Sequence, residues 1–277
     1  MRHYVYLIAY LWITLTSVSV FAEAQIYQWQ DQDKTYYSDR PHRDAKVVRV
    51  NPGYAFYQVK RVIDGDTLEL DDKTKVRLLG INTPEIAGRD HLAENGGWDA
   101  KQWVIRQLRG QRVRLETDVE ARDRYQRTLG HVFTEDGHHI NLELVRNGLA
   151  SVEIFPPNLK YAEELMIVEQ SAQQHNLGIW REPAYAVKAI TDVDPNNPPT
   201  GWQRLTGVVK SLGKSRRYSY LNFNDQFSFR IADGNLKLFP KLQSYVGRQV
   251  EIRGWLNRQK SGVSMLIRHP HAIKLLP

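Results

Sequence analysis

Residues 61–85, RVIDGDTLELDDKTKVRLLGINTPE, hold a concentration of reactive side chains: Asp64, Asp66, Arg77, Asn82, Thr83 and Glu85. Carboxylate, amide and carbonyl oxygens are the donors a hard cation takes. A guanidinium fork matches the oxygens of a carboxylate or a phosphate. A neighbouring carboxylate can accept a proton. Taken one at a time, each has an ordinary structural reading. Asp64-Gly65-Asp66 is a turn, Arg77 a strand-surface charge, and Glu85 a loop or helix-start carboxylate. Chemistry requires that the fold gather them.

The stretch reads as two strands and a turn. Val62, Leu68 and Leu70 alternate with Thr67 and Glu69, Asp71-Asp72 signals the turn, and the extended pattern resumes from Lys75 to Leu79. Such a hairpin brings Asp66 near Arg77 and hangs Thr83-Pro84-Glu85 at the end of the second strand. Around it, residues 54–182 read as strands first and helices later. Strands are expected over 57–70, 75–81, 112–116 and 129–133, with a hairpin turn at Asp136-Gly137. Helices are expected over 98–108, over 141–146 with Asn141 as cap, and over 161–173. A β-barrel with packed helices fits that order.

At 277 residues the chain exceeds one ordinary small domain. It has 0 cysteines, which excludes disulfides and thiolate metal sites. The formal charge is +7 and the pI about 9.4, compatible with nucleic acid, a membrane surface or acidic polymers as partners. Residues 1–24 have the form of a secretory signal, with Arg2, an apolar run from Tyr4 to Ile13 and small residues after it; a membrane anchor is the alternative. A periplasmic or secreted location follows from the signal reading, with no stable membrane association after cleavage and no protein partner evident. Residues 25–53 form a small hairpin domain. Tyr27-x-Trp29, followed by Tyr37-Ser38-Asp39-x-Pro41, resembles a short domain of unknown function in exported bacterial proteins.

Four motifs in residues 54–182 occur in a familiar order: IDGDT at 63–67, RLLGINTPE at 77–85, DRYQRTLGHVF at 123–133 and N-x-E-L-V-R-N-G-L-A at 141–150, with LGIW at 177–180 after them. Together they resemble the staphylococcal nuclease, or thermonuclease, family. The resemblance implies an OB-type five-strand barrel with three helices (α+β). It also implies a metal-dependent endonuclease, a hydrolase acting on DNA and/or RNA that leaves 3′-phosphate and 5′-hydroxyl ends. It assigns Asp66, Asn82 and the Thr83 carbonyl to a calcium ion, Arg77, Glu85 and Arg127 to catalysis, and Tyr125 to the nucleotide; Asp64 falls close to the metal. Those types suit phosphodiester hydrolysis, in which charge builds on phosphate oxygens and guanidiniums offset it.

Two positions depart from the family pattern. Asn82 stands where well-known members have aspartate, which removes a negative charge from the metal shell and implies weaker calcium binding or another hard divalent cation. Near Ser151–Pro157, where the family's nucleotide-contacting tyrosines fall, Phe155 is the aromatic residue present.

Residues 183–200, rich in Asp, Asn and Pro, read as a linker with nothing to bury. Residues 201–277 read as a second small β-barrel that resembles the OB-fold nucleic-acid-binding group, with a helix near 236–245. Charge separates the parts: residues 201–277 carry 14 Lys+Arg against 3 Asp+Glu, a balance of +11, and residues 25–200 balance at −4. Lys214, Arg216 and Arg217 abut Tyr218 and Tyr220, a basic groove with aromatics of the kind that holds single strands. Two readings follow: an exported nuclease fed by a basic OB module, or a non-catalytic nucleic-acid-binding protein whose metal site Asn82 has degraded. A surface or oligosaccharide binder is a third reading of the tail.

Overall fold

The computed structural model describes residues 26–31, 34–38, 40–48, 55–87, 93–259 and 262–277. The expected signal, residues 1–24, lies outside them. The chain divides into two compact units, Met1–Tyr54 and Ala55–Pro277. In the first, β1 (Ile26–Asp31) pairs with β2 (Lys34–Ser38) as the expected hairpin, and β3 (Lys46–Val48) adds to the other edge of β1. Trp29 stacks on Tyr36 and on His42, but Tyr36 and His42 are exposed and Trp29 is half-buried, so this is a surface stack and not the packed core expected of the aromatics.

The second unit opens with β4 (Phe56–Asp64), β5 (Thr67–Leu70), β6 (Lys75–Leu78) and β7 (Ile81–Asn82). After α1 (Gly97–Gln107) come β8 (Arg112–Glu116) and β9 (Thr128–Thr134), then α2 (Ile140–Arg146), β10 (Ser151–Val152) and α3 (Ala162–Gln174). A closed barrel forms in the order β4-β5-β6-β9-β8, with β6 and β9 parallel. Its core is apolar: Leu68, Val76, Val104, Val113, Val132, Leu144 and Leu165 are fully buried. Ala100 and Val104 of α1, with Leu108 at its C-terminal cap, recur at four-residue spacing and turn one helix face inward.

Two local features depart from the sequence pattern. Polar and apolar residues alternate along 67–70, yet all four residues of β5 are buried, and Glu69 is accommodated by Lys60 at 2.8 Å and Arg61 at 2.7 Å. Asn141 is not the cap of α2. It lies inside the helix, fully buried, donating to the Leu79 carbonyl (2.9 Å) and accepting from the Val132 N–H (3.0 Å). Backbone groups at the barrel rim are better partners for that amide than a helix end.

The segment expected as a linker is part of the structure. Its β11 (Val187–Ala189) pairs in parallel with β12 (Trp202–Val208), and Tyr185, Ile190 and Val193 are buried. Its Pro and Asn composition hid three well-placed apolar anchors. Beyond it run β13 (Ser211–Lys214), β14 (Tyr218–Asn222), β15 (Ser228–Ala232), β16 (Gln249–Gln259), β17 (Gly262–Ile267) and β18 (Ile273–Leu275). They form an eight-stranded sheet in the order β11-β12-β16-β17-β15-β14-β13, with β18 beside β16, consistent with an OB-like module. The expected helix over 236–245 is two 3-10 turns, Asp233–Leu238 and Leu242–Tyr245. Pro240 between them has no N–H to continue a helix.

The barrel and the sheet share a seam. Trp180, Tyr185 and Trp202 pack with Ala172 and Ile179, and Trp255 joins at the edge. Beside them the fully buried Glu169 meets Arg253 at 2.8 Å and His271 at 2.7 Å, while its other oxygen accepts from the Val152 N–H at 2.6 Å. A carboxylate without solvent is tolerable only when its lone pairs are filled in this way.

Candidate active site

The β4–β5 turn positions the first group. Gly65 lies so close to Ala100 and Thr83 that a Cβ there would come within 2.7 Å and 2.8 Å of their side chains. That approach sets Asp66 against the 81–83 segment: its carboxylate accepts from the Thr83 N–H at 2.9 Å and from the Thr67 hydroxyl at 3.1 Å. Asp64 closes the turn by accepting from the Asp66 N–H at 3.0 Å.

The hairpin register places Thr67 opposite Arg77, and Arg77 forms an ion pair with Asp66, the proximity expected of the hairpin. The same guanidinium donates to the Asn82 side-chain oxygen at 3.0 Å. Arg127 comes from the residue before β9, the parallel neighbour of β6, so the two arginines enter from adjacent strands. Its Nε donates to Asp123 at 2.7 Å. Burial works to raise the Asp123 carboxyl, but the hydrogen bonds from Arg127 outweigh it and hold the group below its usual range. Burial pushes Asp64 up in spite of the nearby Arg77 and Arg127.

Arg77, Asp123 and Arg127 meet Asn82, Glu85 and Tyr125 in one cleft of ≈740 Å³, whereas Asp64, Asp66 and Thr83 are not among its lining residues, and Asp66 and Thr83 are buried. Tyr125 is 64% exposed at its mouth, with the guanidinium of Arg124 4.7 Å and that of Arg127 5.5 Å from its ring centroid. Residue order along the chain gave no such proximity, because 42 to 50 residues separate Glu85 and Arg77 from Arg127.

Among the described residues no three His, Cys, Asp or Glu side chains gather closely enough to hold a metal. A cation here would therefore rest on a mixed oxygen set: the Asp66 carboxylate, the Asn82 amide oxygen and the Thr83 carbonyl. All are hard donors, which fits a hard divalent ion, and Arg77 already meets both side chains with positive charge.

Residues 75–182 match the family model described as staphylococcal nuclease homologue. The thermonuclease of Staphylococcus intermedius is 40% identical over 127 residues, covering 45% of this chain and 75% of that protein. The chain belongs to the staphylococcal nuclease family. The thermonuclease of Staphylococcus hyicus is 37% identical over the same shares, and endonuclease YncB of Bacillus subtilis is 33% identical over 130 residues, 45% of this chain and 61% of that protein. The family's matched region stops at residue 182, so it leaves the C-terminal sheet to be read from its own geometry.

The other expected binding residues divide. Tyr218 and Tyr220 stand on the outward face of β14, whereas Lys214 is held by Asp233 at 2.8 Å, and Arg216 and Arg217 are exposed in the β13–β14 turn. Sequence reasoning missed Asp123, which orients Arg127, although the Asp-x-x-x-Arg spacing carried the signal. It also missed Glu153, Trp255 and Arg268, which line the same cleft. Trp255 and Arg268 arrive from the C-terminal sheet, and nothing in their local sequence marks them.

Proposed function

We propose that this chain is an endonuclease, a phosphodiester hydrolase of the thermonuclease type, acting on DNA and/or RNA and leaving 3′-phosphate and 5′-hydroxyl ends. The observation that carries the reading is the convergence of Arg77, Glu85, Arg127 and Asn82 on one cleft, with the buried Asp66 tied to Arg77 by an ion pair and to the Thr83 N–H by a hydrogen bond. Arg77 and Arg127 bind the oxygens of the scissile phosphate and offset the charge that grows there. Asp123 keeps Arg127 aimed into the cleft. Glu85 accepts the proton of the attacking water. Asp66, Asn82 and the Thr83 carbonyl would hold a divalent cation, calcium or another hard ion, which when bound supplies positive charge against the phosphate oxygens. Tyr125 receives the nucleotide at the mouth.

The form of residues 1–24 supports export to the periplasm or beyond. N-terminal sequencing of the purified protein tests it, and a chain beginning at Met1 counts against it. The activity is tested by digesting DNA and RNA with and without a chelator, with Glu85→Gln as control and end-group analysis of the products. Absence of cleavage under several divalent ions favours a non-catalytic nucleic-acid-binding protein, a reading that the Arg77 bridge between Asp66 and Asn82 supports.

A further inference from the structure

The cleft that holds Arg77, Glu85 and Arg127 is not walled by the barrel alone. Trp255 and Arg268 of the C-terminal sheet line it, together with Phe155 from the barrel. A second cleft of ≈450 Å³ shares Arg124, Glu153, Phe155, Trp255 and Arg268 with the first and continues along Arg230, Asn257, Gln259 and Leu266. The two hollows are therefore contiguous.

The walls are built by strand alternation. In β15, Phe229 and Ile231 are fully buried, which turns Arg230 outward; in β17, Met265 and Ile267 are fully buried, which turns Leu266 outward, and Arg268 follows directly after the strand. Register puts Arg230 beside Leu266 on one side and opposite Tyr220 on the other. The Arg230 guanidinium lies 5.3 Å from the centroid of Tyr218, and that of Arg268 lies 4.5 Å from Phe155. One face thus carries Phe155, Arg268, Arg230, Tyr220 and Tyr218, with two guanidiniums flanked by flat rings.

The cations along it lean on rings and hydroxyls: Arg124 donates to the Tyr125 hydroxyl at 2.6 Å, Arg230 lies over Tyr218, and Arg268 lies over Phe155 within reach of the charge of Glu153. Arg124, Arg230 and Arg268 form no ion pair with a carboxylate within 4.0 Å among the described residues, in contrast to Arg204, Arg253 and Lys214 elsewhere in the sheet. The buried Arg230 Nε has no hydrogen-bond partner. Guanidiniums without a carboxylate at ion-pair distance, set beside aromatic rings, suit a polymer that offers phosphates and unstacked bases.

We propose that this face is a binding track for one flank of a single-stranded polynucleotide, whose other end lies on Arg77 and Arg127. This deepens the nuclease reading above and rests on it for the position of the scissile phosphate. Arg124, Arg268 and Arg230 hold successive backbone phosphates, and Phe155, Tyr220 and Tyr218 stack on the bases. A duplex keeps its bases paired and cannot use those rings.

The test uses full-length protein carrying Glu85→Gln, in chelator, so that binding is read apart from cleavage. Fluorescein-labelled dT20, rU20 and a 20-base-pair DNA duplex are titrated by anisotropy at several salt concentrations. Adding Arg230→Ala or Arg268→Ala is expected to weaken dT20 or rU20 about tenfold and to lower the log–log salt slope by ~0.7 for each phosphate left without its guanidinium. Arg230→Lys restores the slope, and Arg268→Gln, which removes the charge and keeps a polar side chain, replaces the alanine variant if that one fails to fold. Unchanged single-strand affinity and slope in both alanine variants overturn the track, and an equal loss for the duplex overturns its single-strand class. If the protein without Glu85→Gln cuts nothing with any divalent ion while Arg230→Ala still weakens dT20, the track stands and the nuclease reading falls.

Discussion

The Trp255 indole N–H donates to the Glu153 carboxylate at 3.2 Å, across 102 residues of chain. Glu153 belongs to the barrel cleft and Trp255 to the C-terminal sheet, so one hydrogen bond joins the two walls of the same hollow. Burial pushes the Glu153 carboxyl above its usual range, and the indole N–H and Arg268 work against that shift. The C-terminal module is therefore part of the cleft wall rather than a tethered accessory.

Replacing Glu85 by Gln keeps the shape of the side chain and removes its basicity. Cleavage is expected to fall ~10²–10⁴-fold, the range of general-base contributions, in a single-turnover assay with saturating protein. Arg77→Lys and Arg127→Lys keep the charge and lose the fork, with an expected loss of ~10²-fold or more. A Glu85→Gln protein of undiminished rate would remove that residue from its role.

Asn82→Asp returns a carboxylate to the oxygen set beside Asp66. Divalent-ion affinity is expected to rise about tenfold or more, near 1.4 kcal/mol, by calorimetric titration of calcium. Equal affinity in the two proteins would place the cation elsewhere.

Glu169→Ala leaves Arg253 buried beside His271 without its carboxylate and frees the Val152 N–H. The loss expected for breaking a buried pair is ~3–5 kcal/mol, read by urea unfolding of the whole chain. A loss under about 1 kcal/mol would mean that water fills the seam.

Acid should loosen the fold through its buried histidines. Burial lowers His131 to about 4, and burial together with the charge of His131 lowers His139 to about 3; burial and His271 lower His269 to about 4. Because these values sit below the ordinary 6.5, the unfolded chain binds protons first. Stability is full above pH 6.5 and declines as pH falls toward 4 and below. His131 and His139 lie 3.2 Å apart, nitrogen to nitrogen, with His139 stacked on Phe133. His139→Phe should flatten the decline of the melting temperature between pH 6.5 and 4.

Much of the site was legible from local pattern. The strand–turn–strand reading of 61–79 was enough to set Asp66 against Arg77, because hairpin register follows from the turn. Arg127 could be added only through a motif, since its neighbour strand pairs in parallel across a long excursion. Two features carried no local signal. Asn141 looked like a cap because caps favour Asn, yet the barrel rim competed for its amide. Trp255 looked like any strand aromatic, and its place in the cleft depends on how two folded bodies meet.

The parallel pairing of β11 with β12 redraws the point at which the C-terminal module could be cut free and transplanted. Ile190 and Val193 belong to the sheet's own core, and Gly207 passes so near Ile190 that a Cβ there would come within 2.8 Å of its Cδ1. A graft begun at Gly201 would leave that core open to water along one edge, whereas one begun near Pro183 would carry its own stopper.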